Sequence, residues 1–245
     1  MATLSHSITV EEEARIGGGG TTLPPDRGRG GDGDRGGDSD SYWAFQNRLR
    51  RARLGMYIAM ASIVMLFAGF GSAFIVRQGI GFFDDATRTT LHDWRTLSLP
   101  IIVWLNTMLL AASSFTLEHA RRKVRVAFAA AGWDGSDTRQ ETPWLNMTLV
   151  LGVGFLLGQV LAWRQLAEQG IYLATNPSSS FFYVFTATHG LHLLGGVAAL
   201  AYAAMAVRLG RGIETRRMVL EVTALYWHFM GVLWIYILGL LYLGQ

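Results

Sequence analysis

From residue 54 to the C-terminus, long apolar runs alternate with short charged segments. A helix needs about 20 mainly apolar residues to cross a bilayer core. Five runs meet that length, at residues 54–76, 99–117, 144–163, 181–207 and 218–243. The first carries no charge, and the fifth carries only Glu221 and His228 as ionisable groups. Pro100 and Pro143 fall at the starts of the second and third runs, where a missing backbone N–H costs a helix nothing. The pattern predicts an all-α fold: an integral-membrane bundle of five transmembrane helices occupying residues 48–245. In the third run Gly154 and Gly158 are spaced as GxxxG, which permits close helix contact and reads as packing.

Residues 1–47 have a different character. Gly, Asp and Arg dominate, with no apolar stretch of the kind a secretory signal carries. Such a segment buries too little apolar area to offset its ordering entropy. It reads as a disordered, cytoplasmic tail.

The charged segments orient the spans, because basic residues accumulate on the cytoplasmic side. Thirteen lie on one side: Arg48, Arg50, Arg51 and Arg53, then Arg121, Arg122, Lys123, Arg125 and Arg139, then Arg208, Arg211, Arg216 and Arg217. The opposite loops hold four: Arg77, Arg88, Arg95 and Arg164. The N-terminus is therefore expected in the cytoplasm and the C-terminus in the periplasm, in agreement with an odd number of spans.

Composition narrows the chemistry. The absence of cysteine excludes disulfides, iron–sulfur clusters, c-type haem attachment and a dinuclear copper centre built on thiolates. A net charge of +3 gives no ground for a nucleic-acid partner. Trp43, Trp133, Trp144 and Trp163 lie near span ends or beyond them, where indoles anchor in the membrane interface.

The stretch THGLHLLGG, residues 188–196, raises the main functional question. An ionisable side chain inside a span normally has a reason to be there. His189 and His192 share a helix face and lie about 13–18 Å along the fourth span, and His228 lies about 16 Å along the fifth. Three readings follow. The imidazoles bind a haem or a metal ion. They form a proton relay, although Glu221, Glu118 and Asp84 sit only at span ends. Or they hydrogen-bond between helices to Gln159, Thr186, Thr188, Tyr226 or a backbone carbonyl, at about 1 kcal/mol per bond.

FFYVFTATHGLHLLGG in the fourth span and YWHFMGVLWIYILGLLYL in the fifth resemble subunit III of the haem–copper oxidases. The resemblance is carried by Phe182, Thr186, His189, Gly190, Leu191 and His192, and by Glu221, Tyr226, Trp227, His228, Phe229 and Trp234. It extends to Asn106, Thr107, Ser113 and Ser114 in the second span and to Leu151, Gly152, Phe155 and Gln159 in the third. The first span opens LGMYIAMASIVMLF, which also looks like the family. The five-span count is similar to the shorter bacterial form; longer relatives have two further helices ahead of it.

The resemblance implies a non-catalytic subunit of an aerobic terminal oxidase in the bacterial inner membrane, docked on the catalytic subunit I with other oxidase subunits. Electrons from cytochrome c or quinol would reduce oxygen elsewhere in the complex. Haem and copper are expected in the partner subunits, with no catalytic, cofactor or metal residue in this chain. His189, His192, His228, Glu221, Gln159 and Tyr226 then become an interhelix polar cluster. Burying such groups is costly unless they are paired, so most are expected to have a partner. Phospholipids are expected partners too, with Arg122, Arg208 and Arg217 as candidate headgroup contacts. Two alternatives stay open: an accessory protein of a nitric oxide reductase, and an independent haem-b cytochrome. Three intramembrane carboxylates frequent in the family are replaced here, by Ile63, Ala162 and Gly231. Any proton-uptake role resting on them loses its chemistry.

Overall fold

A computed structural model describes residues 36–80, 82–84, 89–91, 100–131 and 142–244, without side chains for 36–42, 82–91, 130–131 and 142. Five long helices run in chain order: α1 (Gly36–Gly79), α2 (Ile101–Ala131), α3 (Thr142–Glu168), α4 (Pro177–Arg208) and α5 (Ile213–Leu243). Each is long and apolar enough to cross a membrane. Large apolar side chains such as Met65, Ile101 and Leu243 are more than 70% exposed. A surface of that kind suits lipid, not water. Residues 1–35, expected as disordered tail, lie outside the described residues, as does Trp133.

The all-α, five-helix expectation holds. The connection between α1 and α2 contains a two-stranded antiparallel hairpin, β1 (Phe82–Asp84) with β2 (Thr89–Leu91), pairing Phe82 with Leu91 and Asp84 with Thr89. Phenylalanine and β-branched threonine favour an extended backbone.

α2, α3, α4 and α5 form a closed ring, each packed against the next and α5 packed back against α2. α1 stands outside that ring against α4 and α5, with no close backbone approach to α2 among the described residues. The ring is antiparallel at every edge. Along α2 and α3 the register is set by Thr116 beside Thr148 and by Asn106 against Gly158. Along α3 and α4 it is set by Gly152 beside Val197 and by Trp163 bonded to Thr186. The diagonal from α3 to α5 is filled by aromatic rings, with Phe155 and Trp234 edge-to-face at 5.0 Å.

α1 begins well ahead of the expected span start at 54. Its 44 residues amount to about 66 Å of helix, roughly twice a hydrocarbon core. The extra length is packed. Phe45 and Leu49 are buried, and Phe45 stacks on Phe128 of α2 with ring centroids 5.4 Å apart. The guanidinium of Arg217 lies over both rings, 4.2 Å from Phe128 and 5.5 Å from Phe45. Helix thus replaces the expected tail from Gly36 onward, where Phe45 is held by the Phe128 ring of α2 and the Arg217 guanidinium of α5.

α3 and α4 both end on a glycine in the left-handed region, Gly170 (φ 74°) and Gly210 (φ 63°). In each case the next residue's N–H bonds back over the cap, Ile171 to Leu166 at 2.9 Å and Arg211 to Ala206 at 3.0 Å. This Schellman closure satisfies carbonyls that the helix end leaves open. At the start of α4, Pro177 occupies the first turn, and the Asn176 N–H donates to Ser179 Oγ at 3.1 Å.

Candidate functional site

The interior is joined by tryptophan–hydroxyl bonds. Trp227 and Trp234 lie seven residues apart on α5 and face α2. Their indole N–H groups donate to Ser113 Oγ and Thr107 Oγ1, each at 3.0 Å. Trp163 of α3 donates in the same way to Thr186 Oγ1 of α4, also at 3.0 Å. Each accepting hydroxyl passes its own proton back to a carbonyl of its helix: Ser113 to Leu110, Thr107 to Val103, Thr186 to Phe182. An indole has only a donor and a hydroxyl has both functions, so every group is satisfied without water. Thr116 and Thr148 meet at 2.8 Å between α2 and α3.

The residues expected to form one polar cluster are distributed over four places. His192 Nδ1 lies 2.7 Å from the Thr188 carbonyl one turn back, and the His192 carbonyl accepts a bond from Tyr226 Oη at 2.9 Å. That pair joins α4 to α5. His228 faces α2 instead, with Nε2 3.8 Å from Glu118 Oε2. Glu118 also pairs with Arg121 and Arg122, both at 3.2 Å. Glu221 is buried, and it accepts from Arg53 of α1 at 2.8 Å while Arg125 of α2 lies 3.6 Å away. This carboxylate ties α1, α2 and α5 together where α1 and α2 have no backbone contact.

His189 and Gln159 differ from the rest. His189 is 0% exposed and Gln159 2%, and neither ring nitrogen nor either amide atom has a hydrogen-bond partner among the described residues. His189 is held by rings, 5.2 Å from Trp234 and 6.0 Å from Phe155. The other four members each have a polar partner, and these two have none among the described residues. Residue spacing gave their depth but not their rotation about the helix axis, which for His189 turns the ring toward Trp234 and Phe155.

The candidate headgroup arginines also separate. Arg122 is largely exposed and paired to Glu118. Arg208 donates to Asn146 Oδ1 at 3.1 Å on the surface. Arg217 is turned inward over Phe128 and Phe45. Of the positions where the resemblance leads to a carboxylate, Ile63 and Ala162 belong to the apolar core. Gly231 lines a groove of about 250 Å³ between α2 and α5 with His228, Ser114 and Trp234.

Several residues that hold helices together had no role assigned from sequence: Trp163 as a donor, Arg53 and Arg125 as partners of Glu221, and Glu118 as partner of His228. The seven-residue spacing of Trp227 and Trp234, opposite hydroxyls six apart on another span, was the available signal. Among the described residues no three His, Asp or Glu side chains come together as a metal-ligand set.

These features define the class: a multi-pass helical membrane protein whose buried polar groups chiefly join one helix to another. Comparison with known proteins makes it specific. The family model for cytochrome c oxidase subunit III matches residues 44–244, and the chain belongs to that family. It is similar to the probable cytochrome c oxidase subunit 3 of Nocardia farcinica, 29% identical over 196 residues that cover 80% of this chain and 89% of that one. It is similar to cytochrome c oxidase subunit 3 of Corynebacterium diphtheriae, at 28% over 191 residues, 77% of this chain and 86% of that one. The Synechocystis protein of the same name is 27% identical over 194 residues, 77% of this chain and 74% of its own length.

Proposed function

We propose that this chain is a non-catalytic, stabilising subunit of an aerobic haem–copper terminal oxidase in a bacterial plasma membrane, seated against the catalytic subunit. Oxidation of cytochrome c, reduction of oxygen and proton pumping belong to its partners. The observation that carries the reading is the family match over all five helices. The use of buried tryptophans and hydroxyls as helix-to-helix bonds supports it. The bacterial relatives named for cytochrome c oxidase favour a cytochrome c donor over quinol.

The arginine asymmetry supports a cytoplasmic N-terminus and a periplasmic C-terminus. Arg122 and Arg208, on the surface of the arginine-rich side, are the preferred phospholipid headgroup contacts; Arg217 is a weaker candidate because its guanidinium already covers two aromatic rings. Apolar side chains at 63 and 162 argue for a scaffold and against proton uptake through this subunit.

Affinity purification of the tagged chain from its native membrane in mild detergent tests the reading. A haem-containing partner subunit and cytochrome c oxidase activity are expected in the eluate. A chain that elutes alone, with a Soret band that His189→Ala abolishes, overturns it in favour of an independent cytochrome.

A further inference from the structure

We infer that Asn106, Gln159 and His189 enclose an internal water site at the centre of the α2–α3–α4–α5 ring. All three side chains are at least 98% buried. Between them they present five polar atoms with no hydrogen-bond partner among the described residues: Asn106 Nδ2, both amide atoms of Gln159 and both ring nitrogens of His189. They come from three helices, and the contacts bring them to one level. Asn106 lies against Gly158, whose missing side chain leaves room for the amide. The α2–α3 register that puts Asn106 there also puts the neighbouring Gln159 opposite residues 105–106. On the other side, Gly152 beside Val197 and Trp163 bonded to Thr186 put Gln159 opposite residues 189–190 of α4. Phe155, one turn from Gln159, touches His189, and both touch Trp234. Gln159 thus stands between the asparagine and the histidine.

Orphaned donors and acceptors in a protein interior are costly, at about 1–3 kcal/mol each. Neighbouring tryptophans and hydroxyls at this level are already spent: Trp234 on Thr107, Trp163 on Thr186. The chemistry of the three side chains selects the guest. A metal cation would leave the N–H groups of the two amides without an acceptor. No carboxylate stands among the three to balance a cation, and no guanidinium or ammonium to balance an anion. What fits is a small neutral molecule that both donates and accepts, and buried water typically makes two to four such bonds. The site is a polar node inside an aromatic shell, and it gives His189 a role that needs neither haem nor proton transfer.

A map of the protein with its accompanying subunits, at a resolution that shows ordered solvent, is the direct test. A peak is expected about 2.7–3.2 Å from at least two of the five atoms. Water-edited solid-state NMR on histidine-labelled protein gives a second reading. Ring signals assigned to His189 by their loss in His189→Phe should receive magnetisation from water, and Gln159→Met, which keeps the volume, should weaken that transfer. The inference is overturned by a map in which Gln159 bonds directly to the His189 ring with no peak between them. It is equally overturned by a peak at metal–nitrogen distance, or by a wild-type His189 ring that receives nothing from water.

Discussion

Trp227 reaches across from α5 to donate its indole proton to Ser113 Oγ of α2 at 3.0 Å, with both side chains fully buried. The same ring occupies the space left by Gly152 of α3 and Gly196 of α4. One side chain therefore touches all three other helices of the ring. Removing the bond alone, by Trp227→Phe, should cost about 1 kcal/mol, the usual worth of a polar contact between membrane helices. Trp227→Ala should cost about 3–5 kcal/mol through the cavity it leaves. Unfolding of the purified protein in mixed micelles would give both values. A double-mutant cycle with Ser113→Ala should show coupling between the two sites.

The glycines of α3 separate cleanly by what they face. A methyl on Gly152 would lie 2.7 Å from Trp227 Cη2, and one on Gly158 would run into the Asn106 amide. A methyl on Gly154 meets nothing nearer than Leu109 Cδ1 at 3.9 Å. Gly152→Ala should destabilise by about 1–3 kcal/mol, as overpacked cores do, while Gly154→Ala should stay within about 0.5 kcal/mol of wild type. Thermal aggregation midpoints in detergent would rank them. Equal effects at 152 and 154 would contradict the packing described for Trp227.

Glu221 holds two arginines from two other helices, so the consequences of cutting it are asymmetric. Glu221→Gln leaves Arg53 and Arg125 facing each other without a counter-charge and should lower stability by about 2–3 kcal/mol. Arg53→Ala leaves Arg125 in place and should cost no more than about 1 kcal/mol, since Arg53 is itself 42% exposed. Protease accessibility of the segment before residue 54 should rise in the glutamine variant, because this contact helps fasten α1.

Two of the lost carboxylate positions should respond in opposite ways when the acid is restored. Ala162 is wholly enclosed in the apolar core, and Ala162→Glu should reduce the yield of folded protein severely. Gly231 opens on the groove between α2 and α5, with Ser114 Oγ at 3.8 Å from the position a Cβ would take. Gly231→Asp should fold, with the new carboxylate within reach of Ser114 and His228. Expression level and size-exclusion profile separate the two outcomes.

The five helices were legible because crossing a membrane imposes length and apolarity that no other fold requires of 20 residues at once. The arginine-rich start of α1 was not, since its order comes from Phe128 and Arg217, more than 70 residues away in sequence. The histidines were visible as exceptional, but their partners were not. His192 uses its own helix, His228 uses Glu118, and His189 uses aromatic rings. Which of these a histidine meets depends on helix rotation and neighbour order, and periodicity within one span contains neither.

The ring of α2 to α5 closes on itself without α1. α1 is fastened to its outside, by Arg53 on Glu221 and by Phe67 against Phe185, so helices added ahead of α1 leave the four edges of the ring as they are. Variation at that end is mechanically cheap, and natural differences in helix number among relatives would fall there before anywhere else.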